Sequence, residues 1–417
     1  MISLRSIKTI EIEHESLEQF MKNKTNEIGY KDKTSFINRK EELQYLENWI
    51  NLTPKEILFI YGPKSSGKTT LLTKFIDLHL NNKNYNIKHF NLREVLIANY
   101  VDFIQAFFEV DYSKEKHEVK QNTQYSLKVF KLSKEIKKSL ETKILDPLVV
   151  MKTELLKIAK KGKRPVIIID ELQALEDIYL NGQRELLKEL FNFFVALTKE
   201  SHLCHVIIAS SDGYFMNRIY EDSKLTKTSS FIGVDYLSES DIRYWLNNLE
   251  SQSAITALKL SDKQIDMIWK YLGGSIWEIS SLLSQLVRYV SNNSLTDDTL
   301  NNCIQTIIEG NYSKITYYVK LDENKMMLFK QIYRTGLEKQ NLDYFDFIPL
   351  IRNKIFDNNT LSEELDKLVR LNFLAFNPTT SLFQFQGKSM FYGLKKFVES
   401  MPEDLLPEPG NAQGNLE

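Results

Sequence analysis

Residues 57–72, ILFIYGPKSSGKTTLL, constrain the fold more than any other stretch of the chain. Five apolar residues, Ile57–Tyr61, run into a loop bounded by two glycines, and Leu71, Leu72 and Phe75 then recur at helical spacing. A short continuous apolar run is what a parallel strand buried on both faces requires. The order strand, glycine loop, helix suits the spacing Gly62-x-x-x-x-Gly67-Lys68-Thr69, which fits a phosphate-binding loop in full. Glycine lets such a loop wrap closely around an anion, and backbone N–H groups at a helix start point into it. The candidate binding residues are therefore Gly62, Pro63, Lys64, Ser65, Ser66, Gly67, Lys68, Thr69 and Thr70. On this reading Lys68 reaches the β- and γ-phosphates of a nucleotide, and the Thr69 hydroxyl ligates Mg²⁺. The plainer alternative is a Gly/Ser turn joining a strand to a helix.

The stretch PVIIIDELQAL, residues 165–175, argues against the plain turn. Val166–Ile169 form a second β-branched run, and it ends in Asp170-Glu171. In open α/β sheets, ligands bind at the carboxyl ends of the strands, so carboxylates there face a ligand. Asp170 is the candidate to hold Mg²⁺, mostly through water, and Glu171 to orient and polarise an attacking water. Lys68 and Glu171 are thus the candidate catalytic residues.

A third run, HVIIASSD at 205–212, ends in Ser210-Ser211, which either contact a γ-phosphate or simply begin a turn. Runs at 86–92 and 229–237 complete five strands separated by helical segments. That alternation predicts an α/β fold with a three-layer parallel sheet.

Upstream, TSFINRKEELQYLENWI places Asn38-Arg39 at the start of an amphipathic helix marked by Leu43, Leu46 and Ile50. The F-I-N-R-x-x-E-L opening, the phosphate loop and the hhhhDE-x-Q strand together resemble the archaeal-type ATPase family. That family belongs to the STAND class of signalling ATPases, relatives of the AAA+ initiators. The resemblance covers residues 34–290, and the C-terminal part by architecture only. It implies that Asn38 and Arg39 contact the nucleotide base, and it makes Gln173 a family marker. It also implies a Gly-Arg pair before the fifth strand, whose arginine senses the γ-phosphate; this chain has SKLTKTSSF there, with Lys224 and Lys227. Arg218 is the nearest arginine and joins Ser210 and Ser211 as a sensor candidate. A Gly-Gly-x-Pro turn is expected at the start of a lid helix, and here Ile276 replaces the proline.

A chain of 417 residues exceeds one ordinary core. The expected organisation is an extension (1–30), a P-loop NTPase core (31–237) with a helical, lysine-rich insertion (about 98–155), a helical lid (238–312), a winged-helix domain (313–400) and a disordered tail (401–417). Within the insertion, residues 114–143 carry nine lysines against four glutamates, either a solvated helix face or a contact for nucleic acid or a partner. In the lid, IWEISSLLSQLVRYV has apolar residues at i, i+3, i+4 and i+7, and Trp245, Trp269 and Trp277 are expected in its core rather than as a platform that stacks a base. Helix 361–370, strand Phe373–Phe376, the turn 377–380 and strand Leu382–Gln386 give the winged-helix pattern. Glu363, Glu364 and Asp366 on that helix oppose DNA phosphate and favour packing on the core or a protein partner.

With 42% hydrophobic and 26% charged residues and a net charge of −1, the chain has no global attraction to nucleic acid. Two cysteines exclude a disulfide scaffold or a cysteine-built metal site. The start lacks the apolar region of a signal peptide, and no run is long enough to span a membrane, so the expected home is the cytoplasm. The function expected is a Mg-ATP-dependent conformational switch with ATP hydrolysis, partnered by protein or by a second copy of itself. The alternatives are a DNA-associated loader and an ATP-stabilised scaffold with little turnover.

Overall fold

The computed structural model describes residues 36–401 apart from 82, 112–128, 177, 180–184, 217–226, 254, 257 and 290–294. The expected extension 1–30, nearly all of the tail, residues 114–128 of the lysine-rich insertion and the sensor candidate Arg218 lie outside the described residues.

Helix α1 (Lys40–Asn51) precedes β1 (Ile57–Tyr61), and α2 (Lys68–His79) follows the glycine loop. Then come β2 (Tyr85–Asn91), α3 (Tyr100–Phe107), β3 (Phe108–Val110), β4 (Phe130–Leu132), α4 (Lys134–Glu141) and α5 (Pro147–Lys160). The core continues with β5 (Arg164–Asp170), α6 (Leu186–Val195), β6 (His205–Ser210) and β7 (Ser229–Gly233). Five strands form one sheet in the order β2-β5-β6-β1-β7, with every pair parallel.

The three layers follow from the period of two along each strand. Ile57, Phe59, Ile167, Ile169, Val206 and Ile208 face one side, where α3, α5 and α6 pack through Phe103, Leu155 and Phe191. Leu58, Ile60, Val166, Ile168, Ile207 and Ala209 face the other, against Leu46 and Trp49 of α1 and Leu71 and Phe75 of α2. Burying such a side chain is worth about 1.5–3 kcal/mol, so the central strands anchor whatever their ends carry. Register aligns those ends: Tyr61 pairs with Ser210 and Gly233, and Asp170 with Ala209 and Asn91. Because β6 lies between β1 and β5, the Ser210-Ser211 tip stands between the glycine loop and Asp170-Glu171.

The lysine-rich segment is helical only in part. Phe130, Lys131 and Leu132 form β4, paired in parallel with β3, before Ser133 caps α4. Residues 130 and 132 are buried while Lys131 is exposed, and a strand this short has no period to read.

Beyond β7 the described chain is helical through α7 (Glu239–Asn247), α8 (Leu249–Ser253), α9 (Asp262–Leu272), α10 (Ile276–Leu286) and α11 (Asp297–Val319). Ser238 and Asp241 close a capping box on α7, as Ser261 and Gln264 do on α9. Helices α12 (Glu323–Glu338), α13 (Ile348–Arg352) and α14 (Asn358–Arg370) lead to an antiparallel hairpin, β8 (Leu374–Asn377) and β9 (Leu382–Phe385), then α15 (Lys388–Glu399). On α14, Glu364 does not face outward: it is 6% exposed and accepts a hydrogen bond from the Tyr318 hydroxyl at 2.6 Å. No described helix is long and apolar enough to cross a membrane.

Candidate functional site

The loop 62–67 is shaped by backbone conformations that few residues adopt. Gly62 has φ +153°, and a Cβ there would meet the carbonyl oxygen of Val234 at 2.1 Å. Gly67, at φ +95°, caps α2 and turns the chain into the helix. Ser65 also sits in the left-handed region, at φ +64°. Lys68 is buried beneath the loop, its Nζ donating to Gly62 O at 2.9 Å and Pro63 O at 2.8 Å. Burial pushes the ammonium down to about 8, and Glu171 and Asp170 oppose that shift.

Strand β5 delivers the carboxylates to the same place. Thr69 Oγ1 donates to Asp170 Oδ2 at 2.5 Å, joining residues 101 positions apart. Asp170 is fully buried, and its Oδ1 has no hydrogen-bond partner among the described residues. Burial raises its pKa; the Thr69 hydrogen bond, then Arg93 and Lys68, pull it back.

Glu171 adopts φ +63°, a left-handed conformation uncommon outside glycine, which turns its side chain off the strand. Three groups converge on its carboxylate. The Arg93 guanidinium forms an ion pair with it, Gln173 Nε2 donates to Oε2, and Ser211 Oγ lies 3.3 Å from both oxygens. Ser210 Oγ in turn donates to Gln173 Oε1 at 2.8 Å. Both strand-tip serines are therefore wired to Glu171, one directly and one through Gln173. Arg93 went unread in the sequence; its signal is its place as the first arginine beyond the second strand, in HFNLRE.

The opening segment behaves differently at its two residues. Arg39 is buried, donating to Ser66 O at 2.8 Å, Asp235 O at 2.5 Å and Glu42 Oε1 at 2.8 Å. It thus ties α1 to the glycine loop and to the end of β7. Asn38 instead donates to Asp241 Oδ1 on α7 at 2.7 Å.

These groups line a cleft of about 480 Å³, walled by Ser65, Gly67, Lys68, Thr69, Thr70, Arg39, Arg93 and Glu171. Phe36 and Ile37 line one further side, and Trp245, Ile276, Trp277 and Leu283 of α7 and α10 another. Asn38 is not part of this lining. A cavity of this size with an apolar wall and a polar floor suits a small-molecule ligand.

A family model described as an ATPase domain predominantly from Archaea matches residues 36–282. The chain belongs to this family. Two uncharacterized ATP-binding proteins of Methanocaldococcus jannaschii are similar to it. One is 36% identical over 335 residues, spanning 77% of this chain and 88% of its own length. The other is 33% identical over 332 residues, spanning 77% and 91%. A Walker-type ATPase of Pyrococcus abyssi shares the fold, with a TM-score of 0.57 at 16% identity over 86% of this chain and 96% of that one. The ORC2 protein of Aeropyrum pernix, solved in complexes with ADPNP and ADP, has a TM-score of 0.50 at 11% identity over 89% and 96%.

In this archaeal-type ATPase the three tryptophans part company. Trp245 is 2% exposed, as expected of a core residue, and its Nε1 donates to Ser253 Oγ at 2.6 Å. Trp269 is partly buried, with Lys388 Nζ over its ring at 4.1 Å. Trp277 is 64% exposed at the cleft, which corrects its reading as core. Its place in the first turn of α10, on the wall of the cleft, overrides the helical period that suggested burial.

Proposed function

We propose that the chain binds ATP in this cleft with Mg²⁺ and hydrolyses it, and that turnover drives a conformational switch of the STAND kind. The supporting observation is the Thr69–Asp170 contact beside a buried Asp170 Oδ1 that has no hydrogen-bond partner among the described residues. A hydroxyl and a carboxylate side by side are hard oxygen donors of the kind Mg²⁺ takes. Among the described residues no cluster of three or more His, Cys, Asp or Glu side chains could hold a metal by itself. That suits Mg²⁺, which is usually held by one or two protein oxygens, waters and substrate phosphates. Thr69 and Asp170 would hold the ion, and when bound it supplies neutralisation of phosphate charge.

The chain's own residues divide the remaining work. Lys68, donating now to two loop carbonyls, has the reach and charge to meet phosphate oxygens in their place. The Gly67 N–H and the free N–H groups of the first turn of α2 point a positive helix end at the same spot. Glu171 is the base that orients water, and Arg93, Gln173 and Ser211 hold its carboxylate in place. Arg39, in the cleft wall, ties down the glycine loop through Ser66 O, and Phe36, Ile37, Trp277 and Leu283 offer apolar surface to the base.

We read 31–237 as the ATPase core, 238–312 as a helical lid and 313–400 as a winged-helix domain. Helix α10 approaches the loop closely: a Cβ at Gly67 would lie 3.6 Å from Ile276 Cδ1. The test is calorimetric titration with ATP. Lys68→Ala is expected to weaken binding by about 3 kcal/mol, more than a hundredfold, as for a lost buried charged contact. Equal affinity in the variant would remove the loop from nucleotide binding.

A further inference from the structure

Residues 374–386, from the C-terminal segment, lie on the same sheet edge that carries the glycine loop. Tyr61, at the end of β1, hydrogen-bonds Thr379 in the hairpin turn, with 3.0 Å between Oη and Oγ1. Gln384 Nε2 donates to Asp235 Oδ1, just beyond β7, at 3.3 Å. Gly213, just past β6, approaches β8 so closely that a Cβ there would meet Phe376 O at 1.9 Å. Beside it, the Tyr214 ring packs on Phe376 and Phe383, with centroids 4.4 and 5.7 Å away.

The remaining contact is made to the glycine loop itself. Gln386 is 8% exposed, and its Nε2 donates to Leu374 O at 3.3 Å, which points Oε1 away from its own hairpin. That Oε1 accepts from the Lys64 backbone N at 3.2 Å. The Tyr236 hydroxyl lies 3.2 Å from the same Oε1 and 3.3 Å from Lys64 O, sharing its one proton between them. Both backbone groups of Lys64 are thus met by two side chains, and Gln386 lies outside the family-matched residues 36–282.

We propose that Gln386 is a positioning residue for the phosphate loop, so that seating of 374–386 on the loop and binding of nucleotide are coupled. Ordering backbone costs conformational entropy, and a loop held in shape beforehand leaves less of that cost to the ligand. Coupling of this kind is reciprocal: nucleotide that favours the shaped loop also favours the seated hairpin. The proposal rests on the reading that the loop receives ATP.

The experiment uses the full chain. ATP affinity is measured by calorimetry for the wild type, Gln386→Ala, Tyr236→Phe and the double variant, with amide hydrogen exchange followed with and without ATP. Gln386→Ala is expected to weaken ATP binding about fivefold to tenfold and Tyr236→Phe about threefold, with the double variant losing less than the product. ATP slows exchange across 374–386 in the wild type and not in Gln386→Ala. Wild-type affinity in a folded Gln386→Ala, or exchange at 374–386 indifferent to ATP in the wild type, overturns the proposal. Where Gln386→Ala fails to fold, Tyr236→Phe decides alone, unchanged affinity overturning the proposal and a threefold loss supporting it. The Lys64 amide separates this proposal from the reading beneath it. Without nucleotide it exchanges faster in Gln386→Ala if Gln386 holds it, and at the wild-type rate if not, whether or not the chain binds ATP.

Discussion

The glycine loop with its carboxylates and the seat of the C-terminal hairpin share one edge of one sheet, yet they are held in opposite ways. Lys68, Asp170 and Glu171 are buried and stand on or beside strands that are buried apart from Tyr61 and Arg164. Around the seat, Tyr61–Thr379 and Gln384–Asp235 are exposed contacts, and Arg370 reaches Glu176 at 3.9 Å in a half-exposed ion pair. Contacts of the first sort are costly to break because a buried polar group is left unpaired. Those of the second are each worth under about 1 kcal/mol, since water replaces them readily. The proposed chemistry therefore sits wholly on buried groups, whereas the hairpin seat adds an exposed rim to the buried Gln386 and to the Tyr214 ring packed on Phe376 and Phe383, and it is that rim which separates at little cost.

The largest expected effect is on the rigid side. Glu171→Gln keeps the shape of the side chain and removes the charge proposed to orient water. Turnover is expected to fall roughly 10²-fold while ATP is still held, measured as steady-state phosphate release beside calorimetric binding. Equal turnover in the variant would take Glu171 out of the mechanism and leave the rigid side without its chemistry.

A smaller effect marks the boundary between the two regions. Glu278, in the first turn of α10, accepts from Ser389 Oγ of α15 at 2.5 Å, while its buried Oε2 has no hydrogen-bond partner among the described residues. Burial raises its pKa from 4.5 to about 7, and the Ser389 hydrogen bond opposes that shift. The folded state then holds a proton that the unfolded state releases, so stability is full below about pH 4.5 and is lost as pH rises through about 7. After screening, the loss is on the order of 2 kcal/mol. Glu278→Gln is expected to flatten that part of the denaturation profile. An unchanged slope in the variant would assign the pH dependence elsewhere.

The smallest effect is reserved for the loose side. Arg370→Ala removes the pairs with Asp366 at 2.9 Å and Glu176 at 3.9 Å, and the expected cost to stability is below about 1 kcal/mol by urea titration. A loss of several kcal/mol would show that the hairpin seat is as rigid as the core and erase the contrast.

The same contrast governs how much could be read in advance. Strands β1, β5 and β6 were legible because burial on both faces demands an unbroken apolar run, and the polar residues ending them stand out. The order β2-β5-β6-β1-β7 was not, since pairing neighbours are distant in sequence. Asp170 and Thr69 announced themselves by motif. Arg93 and the path Ser210–Gln173–Glu171 did not, because long polar side chains choose partners through space. Trp277 was misread since a helical apolar period cannot tell a core-facing position from one facing a cleft. Gln386 carried no signal at all: its partners, Lys64 and Tyr236, belong to another part of the fold.

Thr69, Asp170 and Glu171 are proposed to form a magnesium-dependent ATP-hydrolysing centre. Its most direct test is single-turnover phosphate release by the full chain, with ATP bound, in the presence of Mg²⁺ and of a chelator. The account predicts release with Mg²⁺ and essentially none without it, and a raised magnesium requirement in Asp170→Asn. Release at one rate in both conditions, or no release from an ATP-loaded chain with Mg²⁺ present, would contradict it.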